Sequence, residues 1–120
     1  MKDILIVDDE MMNRDILKKV FTKEQLPFKE ALDGAEAMQL IESEEFSLIL
    51  LDIMMPEIDG FEVIQQIRKR LNLQTPIIVL SSLGDRESIS KALSLGANDY
   101  MVKPLKIKLL LNNIRKLIDA

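Results

Sequence analysis

Residues 4–9 have the sequence Ile4-Leu5-Ile6-Val7-Asp8-Asp9, in which four apolar residues are followed at once by two acids. The same pattern returns at Leu48-Ile49-Leu50-Leu51-Asp52. Short runs rich in Ile, Leu and Val are typical of central parallel strands that are covered on both faces. If these two strands are neighbours, the three carboxylates converge at one edge of the sheet. We therefore predict a compact, oxygen-rich pocket there.

A pocket of three aspartates is suited to a hard divalent cation. Carboxylates this close repel and raise one another's pKa unless a cation offsets the charge. Oxygen ligands favour Mg²⁺ or a similar ion. Alternatively, Asp8 and Asp9 are ordinary acids that favour the start of the next helix through its dipole. Asp52 is harder to explain structurally, because a carboxylate after an apolar strand would be half-buried without a partner.

Strand-like and helix-like segments alternate along the whole chain. Besides 4–7 and 48–51, we predict strands at about 27–31, 77–80 and 99–102. Amphipathic segments of helical length lie between them, at about 11–24, 34–44, 60–71, 85–95 and 105–118. Five such alternations predict an α/β, three-layer sandwich with a parallel sheet in the middle. We expect residues 1–120 to form one domain.

The composition restricts the possible functions. A chain of 120 residues with 48% hydrophobic content fits one globular domain. Its formal net charge of -4 argues against direct binding to nucleic acid or to anionic lipid. The absence of Cys and His excludes disulfides, a Ser-His-Asp triad and any His-ligated metal. The apolar runs are too short for a transmembrane or secretory segment, so we expect a cytoplasmic protein.

A hydroxyl and an amine also fall at the predicted ligand edge. In an open parallel sheet the site lies beyond the carboxyl ends of the strands. Ser81 follows the strand at 77–80, and Lys103 follows the last strand. Strand register favours Ser81 over Ser82, and the alternative for Lys103 is an exposed lysine before a proline. Carboxylates, a hydroxyl and an ammonium together are suited to hold Mg²⁺ and a phosphoryl group.

These residues resemble the receiver domain of two-component response regulators, the CheY-like superfamily, over essentially the whole chain. The resemblance rests on an ordered set of motifs: Asp8-Asp9, Asp52-Ile53-Met54-Met55-Pro56-Glu57-Ile58-Asp59-Gly60, Ser81 and Tyr100-Met101-Val102-Lys103-Pro104. It implies a doubly wound (βα)5 flavodoxin-like fold with strand order 2-1-3-4-5. The Asp59-Gly60 pair is better explained as a turn and helix cap than as chemistry.

The resemblance also assigns roles to the site residues. Asp52 would be the phosphoacceptor, receiving a phosphoryl group from a sensor histidine kinase or a His-phosphotransfer protein. Mg²⁺, or Mn²⁺, would be held by Asp8, Asp9, Asp52 and the backbone carbonyl of Met54. Lys103 would pair with Asp52 before transfer and with the phosphoryl group after it, and Ser81 would donate its hydroxyl. The family's peptide bond before Pro104 is usually cis.

A conformational switch follows from the same resemblance. Ser81 would move toward the phosphoryl group, and Tyr100 would turn inward to fill the vacated space. The surface formed by residues about 85–118 would then control an output domain or a protein partner. The alternative for Tyr100 is a static core or surface aromatic.

Two other classes of protein, a small hydrolase and a binding scaffold, fit the sequence less well than a signalling receiver does. A small aspartyl-phosphate hydrolase usually needs a second acid where this chain has Met54, and a cap segment that is absent from the sequence. A pseudo-receiver scaffold would not need the complete pocket. We expect no enzymatic activity beyond self-phosphorylation and slow autodephosphorylation.

The resemblance also bears on self-association. In the branch of the family with winged-helix output domains, activated dimers are held by charged pairs. Leu109 and Asn113 stand where that branch has an acid and an arginine, so we expect a monomer or a weak dimer. The chain is either a stand-alone regulator or a fragment of a longer protein.

Overall fold

The structure is a computed structural model, and it describes residues 1–119. Its strands are β1 (Ile4–Val7), β2 (Phe28–Ala31), β3 (Leu48–Leu51), β4 (Ile77–Ser81) and β5 (Asp99–Val102). Its helices are α1 (Met11–Lys23), α2 (Gly34–Ser43), α3 (Gly60–Gln65), α4 (Arg86–Leu95) and α5 (Ile107–Ile118). A π-helical turn (Gln66–Arg70) continues α3.

The five strands form one parallel sheet in the order β2-β1-β3-β4-β5. The predicted α/β class and strand order are therefore confirmed. β1 lies between β2 and β3, so the two runs that end in aspartate are direct neighbours. This adjacency brings the acids that follow them to the same edge.

The sheet separates two hydrophobic clusters, one on each face. Alternate residues of β1 and β3, such as Leu5 and Ile49, pack with α2, α3 and α4. Their neighbours in the chain, such as Ile4 and Leu48, pack with α1 and α5. Because both faces are covered, every residue of these two strands is buried. This explains why the strands are continuously apolar instead of alternating.

Two predicted helix boundaries differ from the structure by more than one residue. The helix expected over 60–71 changes to π-helical geometry at Gln66, where the Leu71 N–H donates to the Gln66 carbonyl at 2.9 Å. In this turn, Arg68 donates to the carbonyls of Leu73 and Gly96 and to Asn98 Oδ1. Helical spacing does not reveal such distant contacts. α5 starts at Ile107 instead of 105, because Lys106 is still extended (φ -95°, ψ 107°).

Aspartates cap three helices that follow strands. Asp33, Asp59 and Asp85 accept hydrogen bonds from backbone N–H groups of the first turns of α2, α3 and α4. An N-cap side chain satisfies a backbone donor that has no partner within the helix. Asp59-Gly60 is thus a turn and helix cap in the structure. The capping aspartates should be distinguished from the three that converge at the sheet edge.

Gly60 lies against the backbone of the segment that carries Asp52. A Cβ added at Gly60 would lie 2.6 Å from Ile53 Cα and 2.7 Å from the Asp52 carbonyl oxygen. We expect Gly60→Ala to destabilise the fold by about 1–3 kcal/mol, because backbone atoms must shift to admit the methyl group. Urea unfolding measures the change.

Gly84→Ala is the matched control for this substitution. A Cβ there would lie 3.4 Å from Val102 Cγ1, which is ordinary contact. We expect its effect to stay within about 0.5 kcal/mol. Equal effects of the two substitutions would contradict the role of the close approach at Gly60.

Candidate functional site

The three predicted acids converge at the carboxyl edge of the sheet. Val7 is paired with Leu51, so Asp8 and Asp52 leave neighbouring strands side by side. One carboxylate oxygen of each of Asp8, Asp9 and Asp52 lies within 4.8 Å of the others. Asp8 and Asp52 are 3% and 5% exposed, whereas Asp9 is exposed. The cluster is therefore buried on its inner side and open to solvent at Asp9.

Lys103 provides the positive charge that faces this cluster. Its Nζ lies 3.2 Å from Asp8 Oδ2 and 3.6 Å from Asp52 Oδ2. The Lys103 N–H donates to the Ser81 carbonyl at 2.8 Å, which fixes the lysine just beyond β5. The peptide bond between Lys103 and Pro104 is cis. One ammonium against three carboxylates leaves an excess of negative charge that a divalent ion would offset.

Burial raises the pKa of the Asp52 carboxyl group above its ordinary value. The neighbouring Lys103 ammonium and a hydrogen bond from the Met54 N–H oppose the increase in pKa, while Asp8 and Asp9 add to it. The Met54 N–H lies 3.1 Å from Asp52 Oδ1. The ionised carboxylate is therefore less stable in this pocket than in water, and a cation would stabilise it.

This shift predicts how stability depends on pH in the absence of divalent ions. The folded protein binds the Asp52 proton more tightly than the unfolded chain, whose pKa is about 3.9. The resulting stabilisation is present below that value and is lost as the pH rises through the raised pKa of the folded state. We therefore expect Asp52→Asn to be more stable than the natural protein at pH 7.

Thermal unfolding in EDTA across a pH series tests this expectation. The difference between the two proteins should shrink as the pH falls toward about 3.9. Glu57→Gln, at an exposed position, is the control and should show no such trend. A destabilised Asp52→Asn protein at pH 7 would contradict the expectation.

Ser81 and Tyr100 meet at the peptide groups of Leu83. Ser81 is fully buried, and its Oγ accepts a hydrogen bond from the Leu83 N–H at 3.1 Å. The Tyr100 hydroxyl donates to the Leu83 carbonyl at 2.6 Å. Ser82 is exposed and donates to Met54 Sδ at 3.6 Å. Ser81 and Tyr100 thus bind the same residue of the β4–α4 loop instead of the carboxylates.

Arg14 is a site neighbour that the sequence analysis missed. It is 5% exposed, and its Nη1 donates to the Asp8 carbonyl at 2.8 Å. Arg14 lies one helical turn before Leu17 and two turns before Phe21, both of which face the core. A charged residue on the apolar face of an amphipathic helix was the signal that could have revealed it.

The fold and the site together identify the family. The family model described as the response regulator receiver domain matches residues 4–115. The chain belongs to this family, and the resemblance stated from its motifs is confirmed. Receiver domains are signalling domains, and they bind Mg²⁺ at an acidic pocket.

Similar proteins support the same assignment. The chain is 42% identical over 117 residues to a probable transcriptional regulator, ycf27, of Cyanophora paradoxa, covering 98% of this chain and 48% of that protein. The receiver domain of Francisella response regulator 1452 is 32% identical, with a TM-score of 0.93 and coverage of 99% of this chain and 98% of that one. The chain spans about half the length of the curated relatives it matches.

A solved relative bears on the acidic pocket. The response regulator TrrA of Thermotoga maritima, in complex with Mg(2+)-BeF, is 35% identical, with a TM-score of 0.87. The match covers 98% of this chain and 99% of that one.

Within residues 1–119, no helix is long and apolar enough to cross a membrane.

Proposed function

We propose that this domain is a phosphorelay receiver in which Asp52 accepts a phosphoryl group from phosphohistidine. The donor would be a sensor histidine kinase or a His-phosphotransfer protein. One observation carries the proposal: three carboxylates lie within 4.8 Å of one another, with Lys103 Nζ 3.6 Å from Asp52 Oδ2. This arrangement combines a nucleophile, a cation site and a fixed positive charge.

The donor set fits Mg²⁺, or alternatively Mn²⁺. Asp8, Asp9 and Asp52 would supply carboxylate oxygens, and the Met54 carbonyl would supply a further ligand. Bound there, the ion would neutralise charge that develops on the phosphoryl oxygens. Asp9 is the exposed member and marks the side from which an ion enters.

The chemistry requires alignment more than covalent help. An oxygen of the Asp52 carboxylate attacks phosphorus, the P–N bond of phosphohistidine breaks, and the bonding electrons leave with the imidazole. The product is an acyl phosphate on Asp52. The Lys103 ammonium, which faces Asp52 in the structure, can then pair with a phosphoryl oxygen. Its flexible stem suits a contact that changes partner.

The shared contacts at Leu83 suggest how the site communicates with the surface. If the Ser81 hydroxyl turns toward the phosphoryl group, the Leu83 N–H loses its acceptor. The β4–α4 loop must then rearrange, and the Tyr100 hydroxyl holds the same loop by the Leu83 carbonyl. The surface affected is that of residues about 85–118, which includes α4, β5 and α5.

Tyr100→Phe tests this coupling. The variant keeps the ring and removes the hydrogen bond to Leu83, which contributes about 0.5–1.5 kcal/mol. We expect unchanged uptake of the phosphoryl group, but a shift of at most about tenfold in the conformational equilibrium induced by beryllofluoride. Amide NMR spectra of the two proteins measure the populations.

Phe28→Tyr provides a control for a change of one hydroxyl at an aromatic ring far from this loop. Phe28 is partly buried on β2, at the edge of the sheet opposite β5. The Phe28→Tyr variant should show an unchanged response to beryllofluoride. An unchanged response in Tyr100→Phe would argue for a static tyrosine.

The output lies with a covalently attached domain or a separate protein. Matching relatives are transcriptional regulators about twice as long as this chain, which favours an attached output domain. The net charge of -4 argues against direct DNA contact by this domain.

The α5 positions considered for self-association carry no charge. Asn113 donates to Asp99 at 2.7 Å within the chain, and the neighbouring Leu109 is exposed. We propose a monomer or weak dimer, acting in the cytoplasm.

Incubation with acetyl phosphate and Mg²⁺, followed by intact-mass analysis, tests the proposed function. A stable increase of one phosphoryl group is the expected result. Rapid release of inorganic phosphate without accumulation would instead indicate an aspartyl-phosphate hydrolase. No change in mass at any Mg²⁺ concentration would indicate a protein-binding scaffold and would overturn the proposal.

A further inference from the structure

We propose that Arg14 is a positioning residue of the Mg²⁺ site, which holds the peptide group between Asp8 and Asp9. The inference rests on the proposed function, since it concerns the affinity of that site for its ion. It adds to the site a residue that contacts the backbone of Asp8 but neither the carboxylate groups that would hold the ion nor the phosphoryl group.

The Asp8 carbonyl lies beyond the last rung of the sheet. The Asp8 N–H still donates to the Ala31 carbonyl of β2 at 3.3 Å, and the Asp52 N–H donates to the Val7 carbonyl at 3.0 Å. The Asp8 carbonyl instead accepts from Arg14 Nη1 at 2.8 Å. This carbonyl belongs to the peptide that joins Asp8 to Asp9. Its orientation therefore fixes where the Asp9 backbone leaves the strand.

The Asp8 side chain is fixed by other partners. Oδ1 accepts from the Glu10 N–H at 2.9 Å, and Oδ2 accepts from Lys103 Nζ at 3.2 Å. Arg14 thus completes a set of contacts in which each polar group of Asp8 has a partner. Exposed Asp9 has no comparable burial to fix it, so it depends on the backbone that Arg14 holds.

The burial of Arg14 is costly for the fold itself. Arg14 is 5% exposed, and its Nε is buried without a hydrogen-bond partner among residues 1–119. Its ion pair with Glu30 is long, 3.5 Å from Nε to Oε1, and Glu30 also binds Lys18 at 2.8 Å. Taking a guanidinium out of water with so few partners carries a desolvation cost that the long ion pair does not offset. The hydrogen bond to the Asp8 carbonyl is the contact that accounts for a charged donor here.

Groups behind metal ligands affect affinity although they do not touch the ion. Removing such a group typically weakens binding by about 10- to 100-fold. We expect a loss of this size in Arg14→Met, in which Asp8 and Asp9 remain but their connecting peptide is free to turn. Arg14→Lys keeps a charged donor and should recover most of the loss. Arg, Met and Lys have similar helix propensities, so α1 itself should persist.

Calorimetric titration of the unphosphorylated proteins with Mg²⁺ alone provides the test. Lys18→Met is the matched control: it removes the other partner of Glu30 from the same helix without touching Asp8. It should bind Mg²⁺ like the natural protein. Urea unfolding in EDTA records stability separately, so a change in affinity can be compared with any change in folding. If Arg14→Met fails to fold, Arg14→Gln replaces it, since glutamine is polar and reaches less far.

The outcomes separate this inference from the proposed function. Weaker Mg²⁺ binding in Arg14→Met, recovered by Arg14→Lys and absent in Lys18→Met, supports the positioning role. Unchanged or tighter binding in Arg14→Met, while the natural protein binds Mg²⁺, overturns the inference alone. Failure of the natural protein to bind Mg²⁺ overturns the metal site, and the inference with it.

Discussion

With asparagine in place of Asp52, the protein is expected to take up no detectable phosphoryl group from phosphohistidine or acetyl phosphate. The substitution keeps the size of the side chain but replaces the anionic nucleophile by a neutral amide, which cannot form an acyl phosphate. The loss should therefore be complete instead of partial. Intact-mass analysis after incubation with donor and Mg²⁺ measures it directly.

Asp33→Asn is the matched control for this experiment. Asp33 is exposed and caps α2, and asparagine is an equally good N-cap. The control should therefore be phosphorylated at the natural rate. Equal phosphorylation of Asp52→Asn and the natural protein would place the acceptor elsewhere and overturn the assignment.

Lys103→Ala is expected to slow phosphoryl transfer by about 10²–10³-fold, which is typical when one fixed donor to a developing charge is removed. The same substitution should strengthen Mg²⁺ binding before transfer. Removing the ammonium 3.2 Å from Asp8 and 3.6 Å from Asp52 leaves the pocket more negative. Opposite changes in rate and ion affinity are characteristic of a cation that acts on the phosphoryl group.

Rates measured at saturating Mg²⁺ separate the two effects. Lys108→Ala, at an exposed position on α5, is the control and should change neither quantity. If the Lys103→Ala variant is phosphorylated at the natural rate when Mg²⁺ is saturating, the lysine serves only to pair with Asp8 and Asp52 before transfer.

The sheet and its acidic edge were predictable because they depend on local pattern. Runs such as Ile4–Val7 and Leu48–Leu51 are apolar without interruption, and short runs of this kind are typical of strands covered on both faces. Adjacent parallel strands then bring Asp8 and Asp52 together without further information. The strand order was implied by the resemblance to receiver domains, because spacing alone does not determine it.

Contacts between distant parts of the chain were not predictable. Arg68 binds Gly96 and Asn98, about thirty residues away, and its position in the helix does not indicate these partners. The partners of Ser81 and Tyr100 depend on the path of the β4–α4 loop, which side-chain periodicity does not define. Arg14 differs from these, because its place on an apolar face could have been recognised.

The imbalance of charge in the pocket has a consequence for the order of events. Three carboxylates face one ammonium, so a pocket without a divalent ion repels a phosphoryl donor, because the phosphoryl group is itself anionic. If the proposed function holds, Mg²⁺ would therefore bind before the phosphoryl donor. A low concentration of free Mg²⁺ would then limit phosphorylation of Asp52 even when the donor is abundant.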